Sequence, residues 1–265
     1  MVAAGFIAAA VFDFGGQARA EEPGLSMDFR SPGDSTSVGT YFWVMNFSGT
    51  MTIDGQTVDM TGINLFDLLG QGDLNFPPMI ALIEWNRGHW GAYFDGTLVG
   101  INFGSGDVSL GSGPMTASFG MDYTFALVNT GAKYTVATWE TETYSNKFDL
   151  LAGLRYTFYN IDLKGSVGPT PVSKNETMQW VDGTIGARFI GQHSNGVTYS
   201  AYADLGVGAG FSAQALGTIG YTWKKDKFDL NAFAGYRGLY QDWSSGSNAV
   251  DLTSHGPLLG LKFVF

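Results

Sequence analysis

GPLLGLKFVF, residues 256–265, is the stretch on which the reading of the whole chain turns. Taken at period two, Leu259, Leu261, Phe263 and Phe265 fall on one side, and Leu258, Gly260, Lys262 and Val264 on the other. Period two is the repeat of a β-strand, so this is a strand with one wholly apolar face. Working outward, the same alternation recurs towards the N-terminus. Leu230, Ala232, Ala234, Tyr236 and Tyr240 form such a face within 228–241, and Val181, Ile185, Ala187 and Phe189 within 178–192. Leu150, Ala152, Leu154, Tyr156 and Phe158 do so within 148–163, and Phe119, Met121, Tyr123, Phe125 and Leu127 within 115–139, where Gly131 reads as a bulge. Trp90, Ala92, Phe94 and Leu98, then Met79, Ala81, Ile83 and Trp85, mark a hairpin turned at Gly88. Residues 197–207 and 211–224 make another pair, and 38–53 is the first strand, with Tyr41, Trp43, Met45 and Phe47 on one face.

The 265 residues contain 45% hydrophobic and 15% aromatic side chains, yet no run of 18 apolar residues capable of crossing a bilayer as a helix. Charged residues make up 14%, well under the roughly 25% of soluble domains, as expected of a surface that faces lipid. The absence of cysteine excludes a disulfide scaffold and thiol chemistry, and a net charge of −10 argues against nucleic-acid binding. Val2 to Phe12 is apolar, and Ala18-Arg19-Ala20 precedes Glu21-Glu22-Pro23 as an A-x-A cleavage site. The expected organisation is therefore a signal peptide over 1–20, a periplasmic lead-in over 21–37, and one β-domain over 38–265.

The strands number about ten, with eight or twelve as neighbouring counts, and fit an all-β, transmembrane, antiparallel up-and-down β-barrel. Short connections at Gly88, Ser145, Asn195 and Asp226 alternate with long ones at 54–76, 104–114, 165–175 and 243–251. Such barrels alternate short periplasmic turns with long extracellular loops. Within the first long connection Ile63, Leu65, Phe66, Leu68 and Leu69 have helical spacing, which predicts a short amphipathic helix. It would cap the lumen as a lid, lie on the outer leaflet, or grip a hydrophobic ligand.

Trp180-Val181-Asp182-Gly183, Gly186-Ala187-Arg188, Ala215-Leu216-Gly217, Gly220-Tyr221, Gly235-Tyr236-Arg237 and the 256–260 run resemble the punctuation of uncharacterised Gram-negative outer-membrane β-barrel proteins. The closing strand is similar to those of bacterial outer-membrane barrels, whose assembly machinery reads a C-terminal aromatic. The resemblance implies residence in the cell outer membrane, contact with its lipid and lipopolysaccharide, and Phe263 and Phe265 as the assembly signal. It carries no catalytic residue.

With the outward faces set aside, Asp95, Arg155, Asp182, Arg188, Asp204 and Arg237 become candidate lumen-lining residues, together with Glu84, Asp122, Asp149, Asp229 and Lys262. Arg155 is expected to face Asp182 on the next strand. Such a layer is either an ion-pair network filling a narrow lumen or a constriction that selects small solutes. Gln192-His193-Ser194-Asn195 places His and Ser side by side on a turn, unlike the spacing of outer-membrane lipid A deacylases. Asp54, Asp59, Asp67 and Asp73 are the only acids placed for a barrel protease, and three scattered histidines offer no metal spacing. No cofactor, metal or catalysis is expected. The functional expectation is a structural barrel or a narrow channel for small solutes, against an alternative that binds or modifies lipid or another hydrophobic ligand.

Overall fold

The computed structural model describes residues 34–62, 74–109, 116–167 and 170–265, with side chains described except at 74–79, 101–109, 116–121, 163, 165–167 and 170–172. The chain is antiparallel β throughout these residues. In order the strands are β1 (Ser35–Trp43), β2 (Asn46–Ile53), β3 (Gln56–Asp59), β4 (Leu74–Arg87), β5 (Trp90–Ser109), β6 (Thr116–Glu140), β7 (Tyr144–Val167), β8 (Thr170–His193), β9 (Val197–Gly208), β10 (Phe211–Lys224), β11 (Asp229–Ser245) and β12 (Asn248–Val264). β1 pairs with β4, each later strand pairs with the next, and β12 returns to β1, closing a barrel of ten strands. β2 pairs with the far part of β12 and β3 with β2, and neither adds a strand to that ring. Closure leaves none of the ten ring strands at the end of the sheet, which is the condition for a sheet to cross lipid.

β1 and β2 are one strand with a break. Trp43 pairs with Leu258 and Asn46 with His255, so the register against β12 is unchanged across Val44 and Met45. The break falls opposite Gly256-Pro257, where proline has no N–H to give, although its carbonyl still accepts from Val44 N at 2.9 Å. A side chain at Gly256 would meet the Val44 carbonyl at 1.7 Å, so only glycine fits. The barrel thus begins at Ser35, three residues before the expected Val38, so the last three residues of the expected lead-in belong to β1, while the signal segment and 21–33 lie outside the described residues.

The connections differ from the expected ones in one consistent way. The described residues of the expected loops 104–114, 165–175 and 243–251 largely continue the ladders: Gly106 pairs with Phe119, Gly165 with Val172, and Ser245 with Asn248. Glycine and proline mark loops only where the ladder has ended, and here neighbouring donors and acceptors still pair. The first long connection, 54–76, opens on the turn of the β2–β3 hairpin at Asp54-Gly55, with φ of 50° and 78°, and contains β3. Asp-Gly is the sequence such a turn requires, and the pair is legible in the sequence. The proposed lid, Ile63, Leu65, Phe66, Leu68 and Leu69, lies outside the described residues. Gly131 is not a bulge: the register shift falls between Thr135 and Ala137, and Gly131 pairs with Gly153. A side chain at Gly153 would strike the Tyr93 hydroxyl at 2.6 Å, so the two glycines form a notch that admits this inward tyrosine.

Outward faces agree with the alternation on most strands. Leu150, Leu154, Val181, Ile185, Leu259 and Leu261 are exposed in a belt. Aromatic residues flank it: Trp85, Trp90, Tyr221, Trp223 and Phe263 towards the end bearing Ser35 and Phe265, and Tyr156, Phe211, Tyr236 and Tyr240 towards the other. From Phe148, opposite Phe189, to Tyr156 the belt runs eight residue steps, which at a strand tilt near 40° is a depth of roughly 21 Å, close to the roughly 25 Å apolar band of such barrels. β6 is the exception. Tyr123, Phe125 and Leu127, expected outward, are buried in the barrel interior, as their 1%, 0% and 0% exposure requires. The apolar Tyr123, Phe125 and Leu127 read as the lipid face against Asp122, Thr124 and Ala126, yet over so few residues an apolar face suits the lumen as well as lipid. Asn129, Lys133 and Thr135 share the parity of Tyr123 and decide it. Asp122, expected inward, accordingly points out and ion-pairs with Lys164 at 2.8 Å.

Candidate functional site

The barrel interior is the candidate site, and it is arranged in three tiers. The tier nearest Ser35 and Phe265 is ionic. Asp149 on β7 and Arg188 on β8 are cross-strand neighbours, and Arg188 reaches Asp149 Oδ2 at 2.8 Å while also gripping Glu84 with two nitrogens, at 2.8 and 3.0 Å. Lys133 on β6 pairs with the same Glu84 and lies 3.5 Å from Asp149. It does so across β5, where Gly91 leaves room: a side chain there would sit 2.6 Å from Lys133 Cε. Thr135 donates to Asp149 Oδ1 at 2.7 Å, completing its partners. A polar cavity of about 350 Å³ lies beneath, reaching the barrel mouth and bounded by Glu84, Lys147, Arg188 and Lys262.

The middle tier holds two fully buried arginines. Arg155 grips both oxygens of Asp204 at 2.7 and 2.8 Å, donates from Nε to Asn129 at 2.7 Å, and from Nη1 to Ser212 at 2.9 Å. Arg155 and Asp182 are register partners, as expected, but they form no ion pair. Side chains converge inside a barrel, and an arginine is long enough to pass its neighbour and reach the strand beyond. Gly186 stands opposite Asp204 and clears the approach, since a side chain there would lie 2.7 Å from Asp204 Cβ. Asp182 instead accepts from Trp180 Nε1 at 3.2 Å, Ser212 Oγ at 3.2 Å and Gly210 N at 3.1 Å. Arg237 binds Asp95 at 3.1 Å, Gln214 Oε1 at 2.6 and 3.1 Å, and the Tyr41 hydroxyl, with Trp43 4.7 Å beneath its guanidinium.

Above these the interior is apolar and aromatic. Trp180 stacks on Trp243 at 5.0 Å and on Tyr159 at 5.8 Å, and Tyr159 meets Phe125 at 5.0 Å. Met45, Phe47, Met51, Leu239 and Leu252 fill the space around them. The Tyr159 hydroxyl donates to Gln241 at 2.8 Å, and Gln241 donates to Thr157 at 2.7 Å.

All six candidate lumen residues therefore sit inside the barrel: Arg188 in the lowest tier, and Asp95, Arg155, Asp182, Asp204 and Arg237 in the middle one. Lys133 was not among the sequence candidates, because its strand was read with inverted parity. Its place on the same face as Asn129 and Thr135 is the signal that identifies it. Phe263 packs on Phe228 at 5.6 Å and Phe265 on the same ring at 6.2 Å, at the outer surface near the barrel mouth. The histidines are engaged separately: His89 with the Thr135 carbonyl at 2.9 Å, His255 with the Tyr236 hydroxyl at 2.6 Å, and His193 accepting from Asn195 N at 3.3 Å in its own turn. Among the described residues no cluster of His, Cys, Asp or Glu offers a metal site.

A closed antiparallel barrel with an apolar outer belt between aromatic rings, and with its charges inside, is an integral outer-membrane β-barrel. No protein-family model matches the chain, and no curated protein matches it. Among solved structures it is similar to the attachment invasion locus protein Ail of Yersinia pestis, at 12% identity and TM-score 0.34 over 88% of this chain and 99% of that one. It is also similar to the outer-membrane protease OmpT of Escherichia coli, at 11% identity and TM-score 0.38 over 88% and 97%. A third is the translocator domain of the autotransporter NalP of Neisseria meningitidis, at 11% and 0.39 over 88% and 89%. At these identities the likeness is one of fold, and it carries no function to this chain.

Proposed function

We propose that this protein is a closed, non-catalytic outer-membrane barrel, structural in its resting state rather than an open pore. The observation that supports this reading is the filling of the lumen above the ionic tier. Arg155, Arg237, Asp182, Phe125, Tyr159 and Leu239 are all fully buried, on strands distributed around the barrel. A barrel of eight strands has an interior only just wide enough for side chains, and ten strands add little. Among the described residues no histidine is hydrogen-bonded to a serine or threonine hydroxyl: His89 and His255 are bound to a backbone carbonyl and a tyrosine, and His193, although next to Ser194, accepts from Asn195 N in its turn. Its partners in this reading are outer-membrane lipid, lipopolysaccharide and the machinery that inserts barrels.

Solute efflux from liposomes tests it. Vesicles carrying the purified protein should retain a small neutral sugar as well as empty vesicles do, and rapid efflux would assign the channel reading instead. Overexpression should leave lipid A unmodified by mass spectrometry; a new lipid A species would establish the lipid-modifying alternative.

A further inference from the structure

The lowest tier of the lumen holds more cations than its own carboxylates neutralise. Lys133, Lys147, Arg188 and Lys262 converge there, and among the described residues Glu84 and Asp149 are the carboxylates buried at that level. Arg188 and Lys133 are shared between those two, and Lys147 approaches Asp149 only to 3.9 Å. Lys262 makes no ion pair and no hydrogen bond among the described residues, although it lines the cavity and feels Glu84, Arg188 and Lys147 electrostatically. With Asp229, half-buried on the same inward face of β11, four cations stand against three carboxylates, which leaves one positive charge in excess, inside a chain whose net charge is −10.

The placement of Lys262 is consistent with a ligand rather than with packing. Its neighbours across the ladder are Gly39 on β1 and Asn231 on β11. Neither supplies a counter-charge, and Gly39 leaves the stem unobstructed. At the mouth of the cavity the exposed Lys225 and Lys227 stand with Glu140 and Asp226, a mixed rim in water whose charges are screened. The floor is screened far less. Ammonium groups withdrawn from bulk water without a counter-ion are costly, and an anion in the cavity relieves that cost.

We infer that this cavity binds a small dianion of the phosphate or dicarboxylate class, held by Lys262 and Lys147 on the mouth side of the Arg188–Glu84 pair. About 350 Å³ falls at the small end of ligand pockets and suits a metabolite-sized solute. Ser37, Asn86 and Ser145 in the wall offer neutral hydrogen-bonding groups to the rest of such a molecule. The cavity lies within the barrel wall and opens along its axis, so the ligand arrives from water rather than as a lipid headgroup. The inference does not depend on whether the upper lumen conducts.

Calorimetric titration of the folded protein in zwitterionic detergent tests it, with inorganic phosphate and succinate as probes and chloride holding ionic strength constant. Saturable binding of at least one dianion is expected, about tenfold or more weaker in Lys262→Gln and in Lys147→Gln, and unchanged in Lys225→Gln at the rim. Folding of each variant is checked by heat-modifiable gel migration; if Lys262→Gln does not fold, Lys147→Gln decides. No saturable binding of either dianion, or equal binding in the lysine variants, would overturn the inference. So would binding of a short-chain phosphatidic acid without binding of inorganic phosphate.

Discussion

Arg155 ties four strands together: it rises from β7 and its nitrogens reach Asn129 on β6, Asp204 on β9 and Ser212 on β10. Removing it strands a buried carboxylate, which typically costs about 3 to 5 kcal/mol. Arg155→Ala should therefore lower the temperature at which the barrel loses its compact, heat-modifiable form. Adding Asp204→Asn should recover part of that loss, whereas adding Asp182→Asn should recover less, because Asp182 keeps its partners Trp180 and Gly210. Equal recovery from the two double variants would contradict the pairing. Sequence parity was sufficient to place both aspartates and the arginine inside. It was insufficient to pair them, because parity describes a Cα and its immediate neighbour while the guanidinium acts several ångströms further on. Lys133 shows the complementary failure: a side chain with full lumen credentials was hidden by the apolar run of Tyr123, Phe125 and Leu127 on the same strand.

At the scale of elements, the ladders differ greatly in extent. β6 and β7 pair from Ala117–Val167 to Glu140–Ser145, whereas β1 and β4 pair only over Ser35–Gly39. Pro77 and Pro78 lie on β4 where its register against β5 also shifts, and two successive prolines withdraw two donors. Local opening follows the density of such contacts. Amide exchange in detergent should consequently be faster at Val38 and Gly39 than at Ala152 and Leu154, and equal protection would show that the short seam is not the weak one. The β2–β3 hairpin is tied back by Lys174, which ion-pairs with Asp54, and by Asn248, whose side chain accepts from Asp54 N at 2.7 Å. Lys174 donates a hydrogen bond to the Asp54 carboxylate and lies beside it as a positive charge, which holds the carboxyl below its ordinary value of 3.8. A lowered folded value means stabilisation that is present at neutral pH and lost as pH falls through that value. Protection of Gly55 N, bonded to Ser247 O at 2.8 Å, should persist on acidification until below the usual carboxylate range, and Lys174→Gln should move its loss upward. A wild-type midpoint at the ordinary value would exclude the contact.

For the molecule as a whole, the barrel was legible because lipid imposes one alternation on the outside of every strand, and the 256–265 stretch carries it undisturbed. Strand count and closure followed from that repeat together with the order of tight turns. The lengths of the far-end hairpins were not legible, since glycine-rich segments such as 104–109 stay in the ladder when their partners do, and partners are set by tertiary pairing. Nor was the filling of the lumen, which depends on how inward side chains from all ten strands meet. That filling is the central claim, with buried arginine pairs below and stacked Trp180, Trp243 and Tyr159 above. The most direct measurement is the conductance of the purified, folded protein in a planar bilayer. No current steps above those of the bare bilayer are expected at moderate voltage; steady single-channel steps from the wild-type protein would contradict a filled lumen.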